Sequence, residues 1–125
     1  LGLCQLAAVD EVLARHRANG LLLDAALADI PDLTRLRRAP DEASAFWVYA
    51  VRARRRAALL DRLHAAGIGA QRLHVRNDRY SCFGPAPWPL PGVEAFDEDN
   101  LALPCGWWIG EGEVERILTC VRRGW

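Results

Sequence analysis

Apolar residues recur at spacings of three and four through the first part of this chain, with charged residues between them. The repeating positions are Leu3, Leu6, Val9, Leu13, Leu23, Ala26, Leu27 and Ile30. This spacing predicts an amphipathic helix, either continuous or joined from two near Asn19 and Gly20, that ends before Pro31. At 1.5 Å per residue it would reach about 40 Å, more than a compact domain of this size needs, so we expect it to connect to something outside the domain.

Residues 31–125 carry the mixed signals of an α+β body. Runs of branched and aromatic residues predict strands at 33–36, 45–51, 69–75 and 101–103. Helical spacing of apolar residues predicts helices at 54–66, 93–100 and 111–122. The run at 45–51 is apolar on both faces, which predicts a central, covered strand. We therefore expect a small antiparallel or mixed sheet of three or four strands packed with helices.

Composition excludes several classes of function. The chain has 125 residues, and its 16 acidic residues balance its 16 basic residues. No global charge therefore draws it to nucleic acid or to an anionic membrane. No apolar run approaches the roughly 20 residues that span a bilayer. We expect one cytoplasmic domain with neither a nucleic-acid nor a membrane partner, and we interpret the arginine-rich run at 52–56 as the solvated start of a helix.

The chain offers few groups for catalysis. All 16 basic residues are arginines, so no lysine is present to form a Schiff base. The three histidines, His16, His64 and His74, lie far from one another and from any cysteine at a ligand-like spacing, which argues against a metal site. The four cysteines include no C-x-x-C pair, and we expect reduced, mostly buried thiols. We therefore assign no catalytic residue and no metal ligand to this chain.

The densest polar segment, residues 73–80, lies where a predicted strand opens into a loop rich in proline and aromatic residues. His74 can exchange a proton near neutral pH. Arg76 and Arg79 can bind carboxylate or phosphate, and Asn77 offers both a donor and an acceptor. Tyr80 adds an aromatic wall with a hydroxyl group. Side chains at the end of a strand are well placed to meet a ligand.

A purely structural interpretation of the same segment stays open. In it, Asp78 forms a local ion pair with Arg76 or with Arg79. Asn77 then sets a turn, and His74 is a core residue whose polar atoms are satisfied within the protein.

Six short segments occur in an order that resembles one known family. They are GLCQL at 2–6, IPDL at 30–33, AFWVY at 45–49, AGI at 66–68, HVRNDRY at 74–80 and LP at 103–104. A long helix separates the first two segments, and a final helix follows the last. In this succession they resemble the C-terminal part of the DegT/DnrJ/StrS-type aminotransferases over nearly the whole chain.

The resemblance implies a pyridoxal-phosphate enzyme of the aspartate aminotransferase fold. Members of the family commonly transfer an amino group, usually from glutamate, to a keto sugar bound to a nucleotide. A lysine in their large domain holds the cofactor covalently, and it precedes the part that resembles residues 2–6. The resemblance therefore implies a fragment that is inactive alone. Its implied partners are a missing N-terminal large domain, a nucleotide-sugar substrate and a second subunit of a homodimer.

Within such an enzyme, residues 1–125 would be the small C-terminal domain, with a connector helix at 1–30 and the α+β body at 31–125. The HVRNDRY segment matches the part of the family's small domain that approaches the substrate. The residues thereby implied to contact substrate are His74, Arg76, Asn77 and Tyr80, and the resemblance places no cofactor-binding residue on this chain. Many relatives have a proline-containing segment after the histidine, where this sequence has VRND, so the sugar stays undetermined.

A second hypothesis is a freestanding α+β module that binds or assembles with another chain and has no catalytic activity. It predicts a monodisperse protein that unfolds cooperatively without a partner. The fragment hypothesis predicts instead an apolar surface along Leu3, Leu6 and Val9, exposed where the large domain should pack, and hence self-association.

Overall fold

The structure, a computed structural model, describes residues 2–39, 44–85 and 88–125 as helices around one small sheet. The helices are α1 (Gly2–Leu6), α2 (Val9–Ala26), α3 (Arg56–Ala65), α4 (Pro91–Asp99) and α5 (Glu111–Arg122). The strands are β1 (Leu33–Arg35), β2 (Tyr49–Ala53) and β3 (Asn100–Leu103). A 3₁₀ turn at Asn77–Arg79 lies in the long loop before α4. The predicted α+β fold class is confirmed.

The sheet is antiparallel, with β2 between β1 and β3. Leu33 of β1 lies opposite Ala53, and Leu103 of β3 lies opposite Tyr49. β2 is therefore the central strand, as its apolar sequence predicts. It begins at Tyr49 rather than at residue 45, because Phe46 has a φ of 47°, which an extended chain does not adopt.

Residues 69–75 do not form the predicted additional strand. Only Gln71 pairs with the sheet, through Ala102 of β3. The Leu73 N–H donates instead to the side-chain oxygen of Asn100, at 2.9 Å, and His74 follows with a φ of 46°. The side chain of Asn100 thus takes the place of a backbone acceptor on a neighbouring strand. His74, with its left-handed backbone, then turns the chain away from the sheet.

The core lies between the sheet and helices α2, α3 and α5. Its buried positions are spaced by two on β2 and by three or four on α5. The buried apolar side chains include Tyr49, Val51, Leu59, Leu63, Leu101, Val114, Ile117 and Val121. Burying one leucine contributes about 1.5–3 kcal/mol. This shared burial explains why the amphipathic run at 111–122 forms the helix that its spacing predicts.

The N-terminal helical region forms two helices that meet at residues 7–8, so the joint predicted near Asn19 and Gly20 is wrong. α2 continues through Gly20 without a break. The glycine makes room for a neighbouring side chain rather than bending the helix. A Cβ atom at Gly20 would lie 2.3 Å from atoms of the Phe46 ring. Asn19 also faces the body, where its side-chain amide donates to the carbonyls of Gly106 and Ile109, both at 3.0 Å.

The beginning of the N-terminal region projects away from the body. Leu3 is 85% exposed and Leu6 is 60% exposed, whereas Leu23 and Leu27 are fully buried. The apolar stripe predicted along the whole region therefore packs only in its second half. Among residues 2–39, 44–85 and 88–125, no helix is both long and apolar enough to cross a membrane.

All four cysteines are free thiols, but only Cys105 and Cys120 are buried. The expectation of mostly buried cysteines is wrong for Cys4, which lies on the projecting α1, and for Cys82, which lies in an exposed loop. Burial raises the pKa of the Cys105 thiol to about 11. This thiol also donates a hydrogen bond to the Phe46 carbonyl, at 3.0 Å.

Candidate functional site

A cleft of about 610 Å³ opens between helix α4 and the loop that follows residue 73. Its lining residues are His74, Val75, Asn77, Asp78, Phe83, Gly84, Pro85, Leu90 and Val93. The cleft brings together two of the four predicted site residues, His74 and Asn77, among largely apolar neighbours. Arg76 and Tyr80 belong to the same segment but do not line the cleft.

His74 is exposed on the wall of this cleft, so its interpretation as a core residue is wrong. Its ring stacks on Trp47, with centroids 6.1 Å apart and planes inclined by 28°. Trp47 is itself 69% exposed. The left-handed backbone at His74 costs of order 1–3 kcal/mol in a residue other than glycine, so the surroundings must hold it in place.

Asn100, at the start of β3, holds the segment that leads into His74. It is 1% exposed. Its side-chain oxygen accepts from the Leu73 N–H at 2.9 Å, and its amide donates to the Phe96 carbonyl at 2.8 Å. One buried amide therefore ties the loop wall to the end of α4. The sequence did not single out Asn100, because these partners lie on other elements.

Arg76 and Asp78 form the local ion pair of the structural interpretation. Arg76 Nε lies 2.9 Å from Asp78 Oδ1, and its Nη2 lies 2.6 Å from Oδ2. This hydrogen bonding lowers the pKa of the Asp78 carboxyl and raises the pKa of Arg76. Glu94 lies 3.9 Å from the same guanidinium, whose side chain is only 13% exposed. Contact between Arg76 and a substrate stays a prediction, and the guanidinium already has two carboxylate neighbours.

Arg79 pairs with Asp97 of α4 rather than with Asp78. Its Nη2 donates to Asp97 Oδ2 at 2.7 Å, and Arg72 binds the other carboxylate oxygen. Arg56 donates to the backbone carbonyl of Asp97 at 2.6 Å. Asp97 has no local sequence signal as a partner of the loop, because Arg72 and Arg79 lie 25 and 18 positions before it.

The arginine run at 52–56 is partly anchored within the chain. Arg52 Nε lies 2.8 Å from Asp99 Oδ1, and Arg56 binds the carbonyl of Asp97. The expectation of a solvated helix start is therefore wrong for these two arginines. They fasten β2 and α3 to the C-terminal end of α4, against which the cleft is built.

The cleft can bind and orient a ligand. His74 and Asn77 present donors and acceptors, while Val75, Phe83 and Val93 offer apolar surface. In the part of the chain that the structure describes, no group of three His, Cys, Asp or Glu side chains is placed to hold a metal ion. The arrangement suits a polar ring held against an apolar wall.

Comparison with known proteins connects this geometry to a family. The chain matches the DegT/DnrJ/EryC1/StrS aminotransferase family over residues 1–122. Among solved structures, it is similar to the sugar aminotransferase CalS13 from Micromonospora echinospora, with 37% identity and a TM-score of 0.94. It is also similar to AtS13 from Actinomadura melliaura, with 38% identity and a TM-score of 0.93. The aminotransferase TlmJ from Streptoalloteichus hindustanus shares 27% identity, with a TM-score of 0.89.

These matches cover nearly all of this chain but only part of the others. The first covers 99% of this chain and 34% of CalS13, and the second covers 99% and 33% of AtS13. The third covers 98% of this chain and 34% of TlmJ. The chain thus spans about a third of the length of the relatives it matches. A search of the curated proteins found no match.

Proposed function

We propose that this chain, which belongs to the DegT/DnrJ/EryC1/StrS aminotransferase family, acts as the small C-terminal domain of a sugar aminotransferase. The observation that carries the proposal is the similarity to CalS13, at 37% identity and a TM-score of 0.94 over 99% of this chain. The substrate would be a keto sugar bound to a nucleotide, and glutamate would be the usual amino donor. The chain would supply a wall of the substrate pocket and surfaces for packing between domains and between subunits.

The residues of this chain do not fit pyridoxal phosphate as a covalent cofactor. Covalent attachment needs a lysine, and all 16 basic residues here are arginines. In the assembled enzyme, pyridoxal phosphate would supply the electron sink for amino transfer. A lysine outside these residues would hold it. The role of this chain is therefore to bind and orient the substrate, and it contributes no catalytic residue.

The cleft gives the sugar-binding role a physical basis. Asn77 can donate to one hydroxyl group and accept from another, and His74 lies on the same wall. Val75 and Val93 present apolar surface to the faces of a sugar ring. Polar groups at fixed positions on an apolar wall set the orientation of a ligand, which is what a pocket wall contributes to transfer at one particular carbon.

The exposed start of the N-terminal region supports the packing role. Leu3 and Leu6 of α1 are 85% and 60% exposed, and Val9, the first residue of α2, is 37% exposed. Exposed leucines on consecutive turns are typical of a surface that another domain covers. We assign this surface, defined as Leu3, Leu6 and Val9, to contact with the large domain.

A hybrid enzyme tests the role of the cleft. In it, this chain replaces the matching third of CalS13, which supplies the remainder. We expect His74→Ala and Asn77→Ala each to lower kcat/KM for the keto sugar nucleotide by about threefold to tenfold, as the loss of one hydrogen bond would. Thr34→Ala, an exposed change on β1 away from the cleft, is the control. Equal kcat/KM values for all three variants would show that His74 and Asn77 do not contact the substrate.

Cofactor trapping tests the claim that the lysine lies elsewhere. The chain is mixed with pyridoxal phosphate and reduced with borohydride, and its peptides are mapped by mass. We expect no adduct on any side chain, because no side-chain amine of the required kind is present. A stable adduct on a side chain would contradict the proposed division of labour.

A further inference from the structure

The charges around the cleft loop are unevenly distributed. Arg76 has two carboxylate neighbours, Asp78 in a bidentate pair and Glu94 at 3.9 Å. Around Asp97 the ratio is reversed, because two guanidiniums, from Arg72 and Arg79, share its one carboxylate. Negative charge is therefore in excess around Arg76, and positive charge is in excess around Asp97.

Two further observations show that this excess is not satisfied within the protein. The Nε–H of Arg72 is buried and has no hydrogen-bond partner among the described residues. Burial lowers the pKa of Arg72, and the nearby charges of Arg56 and Arg79 lower it further. Three guanidiniums thus stand close enough to repel one another, and Asp97 is the carboxylate that they surround. An added anion would relieve this repulsion.

Arg79 is the member of this group that a ligand can reach. Its side chain is 51% exposed, whereas that of Arg72 is 28% exposed. Only its Nη2 binds Asp97, which leaves the other edge of the guanidinium without a side-chain partner among the described residues. Arg79 also closes the Asn77–Arg79 turn, whose first two residues line the cleft. Asp78, the carboxylate on this turn, is bound by Arg76.

We propose that Arg79, supported by Arg72, binds an anionic group of a substrate that occupies the cleft. The group would be a phosphate or carboxylate, the anions whose paired oxygens match the free edge of a guanidinium. It would belong either to the diphosphate of the nucleotide sugar or to the carboxylate of the amino donor. The identity of the ligand rests on the proposed function, whereas the anion site rests on the charges alone.

Titration of the 125-residue chain with sodium pyrophosphate tests the anion site without any catalysis. Binding is followed by the NMR shifts of the arginine Nε–H and backbone amide signals at constant ionic strength. We expect Arg79→Gln to weaken pyrophosphate binding about tenfold, since it removes a charge-assisted bond. Arg15→Gln, at an exposed arginine on α2, should leave the affinity within twofold of the parent value. Uridine diphosphate and glutamate, titrated separately, distinguish the two sources of the anion.

Two further variants separate anion binding from a role in folding. Arg79→Lys keeps the charge and the ion pair, and we expect it to retain measurable binding. Asp97→Asn removes the shared carboxylate and should strengthen pyrophosphate binding several-fold, a direction that a purely structural role does not produce. Thermal melts identify any variant that fails to fold. The proposal is overturned if the parent shows no saturable shifts, or if Arg79→Gln and Arg15→Gln bind alike. Failure of the hybrid enzyme alone would overturn the proposed function but leave the anion site standing.

Discussion

At the scale of single residues, Gly20 shows how one missing side chain decides the packing of a helix. The Phe46 ring occupies the space that a Cβ atom of residue 20 would need, at 2.3 Å. The same Phe46 offers its carbonyl to His16 Nδ1 at 2.9 Å and to the Cys105 thiol at 3.0 Å. Phe46 is thus held by α2, through His16 and Gly20, and by Cys105, which accounts for a bulky residue remaining at a φ of 47°.

Gly20→Ala should destabilise the protein despite the better helix propensity of alanine. Overpacking against Phe46 costs about 1–3 kcal/mol, and replacing a helical glycine returns at most about 1 kcal/mol. We expect a net loss in the free energy of unfolding, measured by urea denaturation. Gly112→Ala in α5 is the matched control, because no atom lies within 4 Å of a Cβ there. A stabilised Gly20→Ala variant would contradict the packing described.

The raised pKa of the Cys105 thiol predicts a loss of folding stability at alkaline pH. Burial raises its pKa to about 11 from 9.0, so the unfolded chain loses the thiol proton at a lower pH than the folded chain does. This contribution to stability is complete below about pH 9 and is lost as the pH rises toward 11. Urea denaturation at intervals across that range, in a reducing buffer, should show a smaller loss for Cys105→Ala than for the parent. Equal losses would show that the thiol is not held in its neutral form by the fold.

At the scale of elements, the buried amide of Asn100 joins β3, the cleft loop and α4. Asn100→Ala leaves the Leu73 N–H and the Phe96 carbonyl without their partner, and each unsatisfied buried group costs about 1–3 kcal/mol. We expect faster hydrogen exchange at Leu73 and a lower melting temperature. Asn77→Ala, an exposed change on the same loop, should alter neither. Unchanged exchange at Leu73 would show that the loop is held by other contacts.

Elements whose side-chain spacing matches their own period were predictable from the sequence. Helix α5 has the predicted bounds, because its apolar positions lie on one face and pack on one core. Residues 69–75 have strand-like composition, but the Leu73 N–H donates to the side chain of Asn100, 27 positions further along the chain, instead of to a neighbouring strand. Such a long-range hydrogen bond leaves no local mark in the sequence.

The candidate site was predictable only in part from the sequence. A dense run of polar residues after an apolar run marked His74 and Asn77, and both line the cleft. Trp47 and Asp97 were missed, because each joins the site through a contact with a distant part of the chain. The local sequence showed where polar side chains are concentrated, whereas the residues that contact them are set by the tertiary fold.

At the scale of the whole molecule, the projecting apolar surface of Leu3, Leu6 and Val9 separates the two hypotheses of function. A surface made for another domain should drive self-association of the isolated chain. We expect concentration-dependent association in sedimentation velocity, reduced in a Leu3→Gln, Leu6→Gln double variant. Leu21→Gln, at another exposed leucine, is the control. A monodisperse parent chain at all concentrations would favour the freestanding module.

Amino transfer by the hybrid enzyme tests the central claim most directly. The hybrid joins this chain to the remaining two-thirds of CalS13, and the control is CalS13 lacking the matching third. With pyridoxal phosphate, glutamate and a keto sugar nucleotide, we expect the hybrid to form the amino sugar and the truncated control to form none. A hybrid that folds and associates as CalS13 does, yet transfers no amino group, would contradict the claim that this chain serves as the small domain of a sugar aminotransferase.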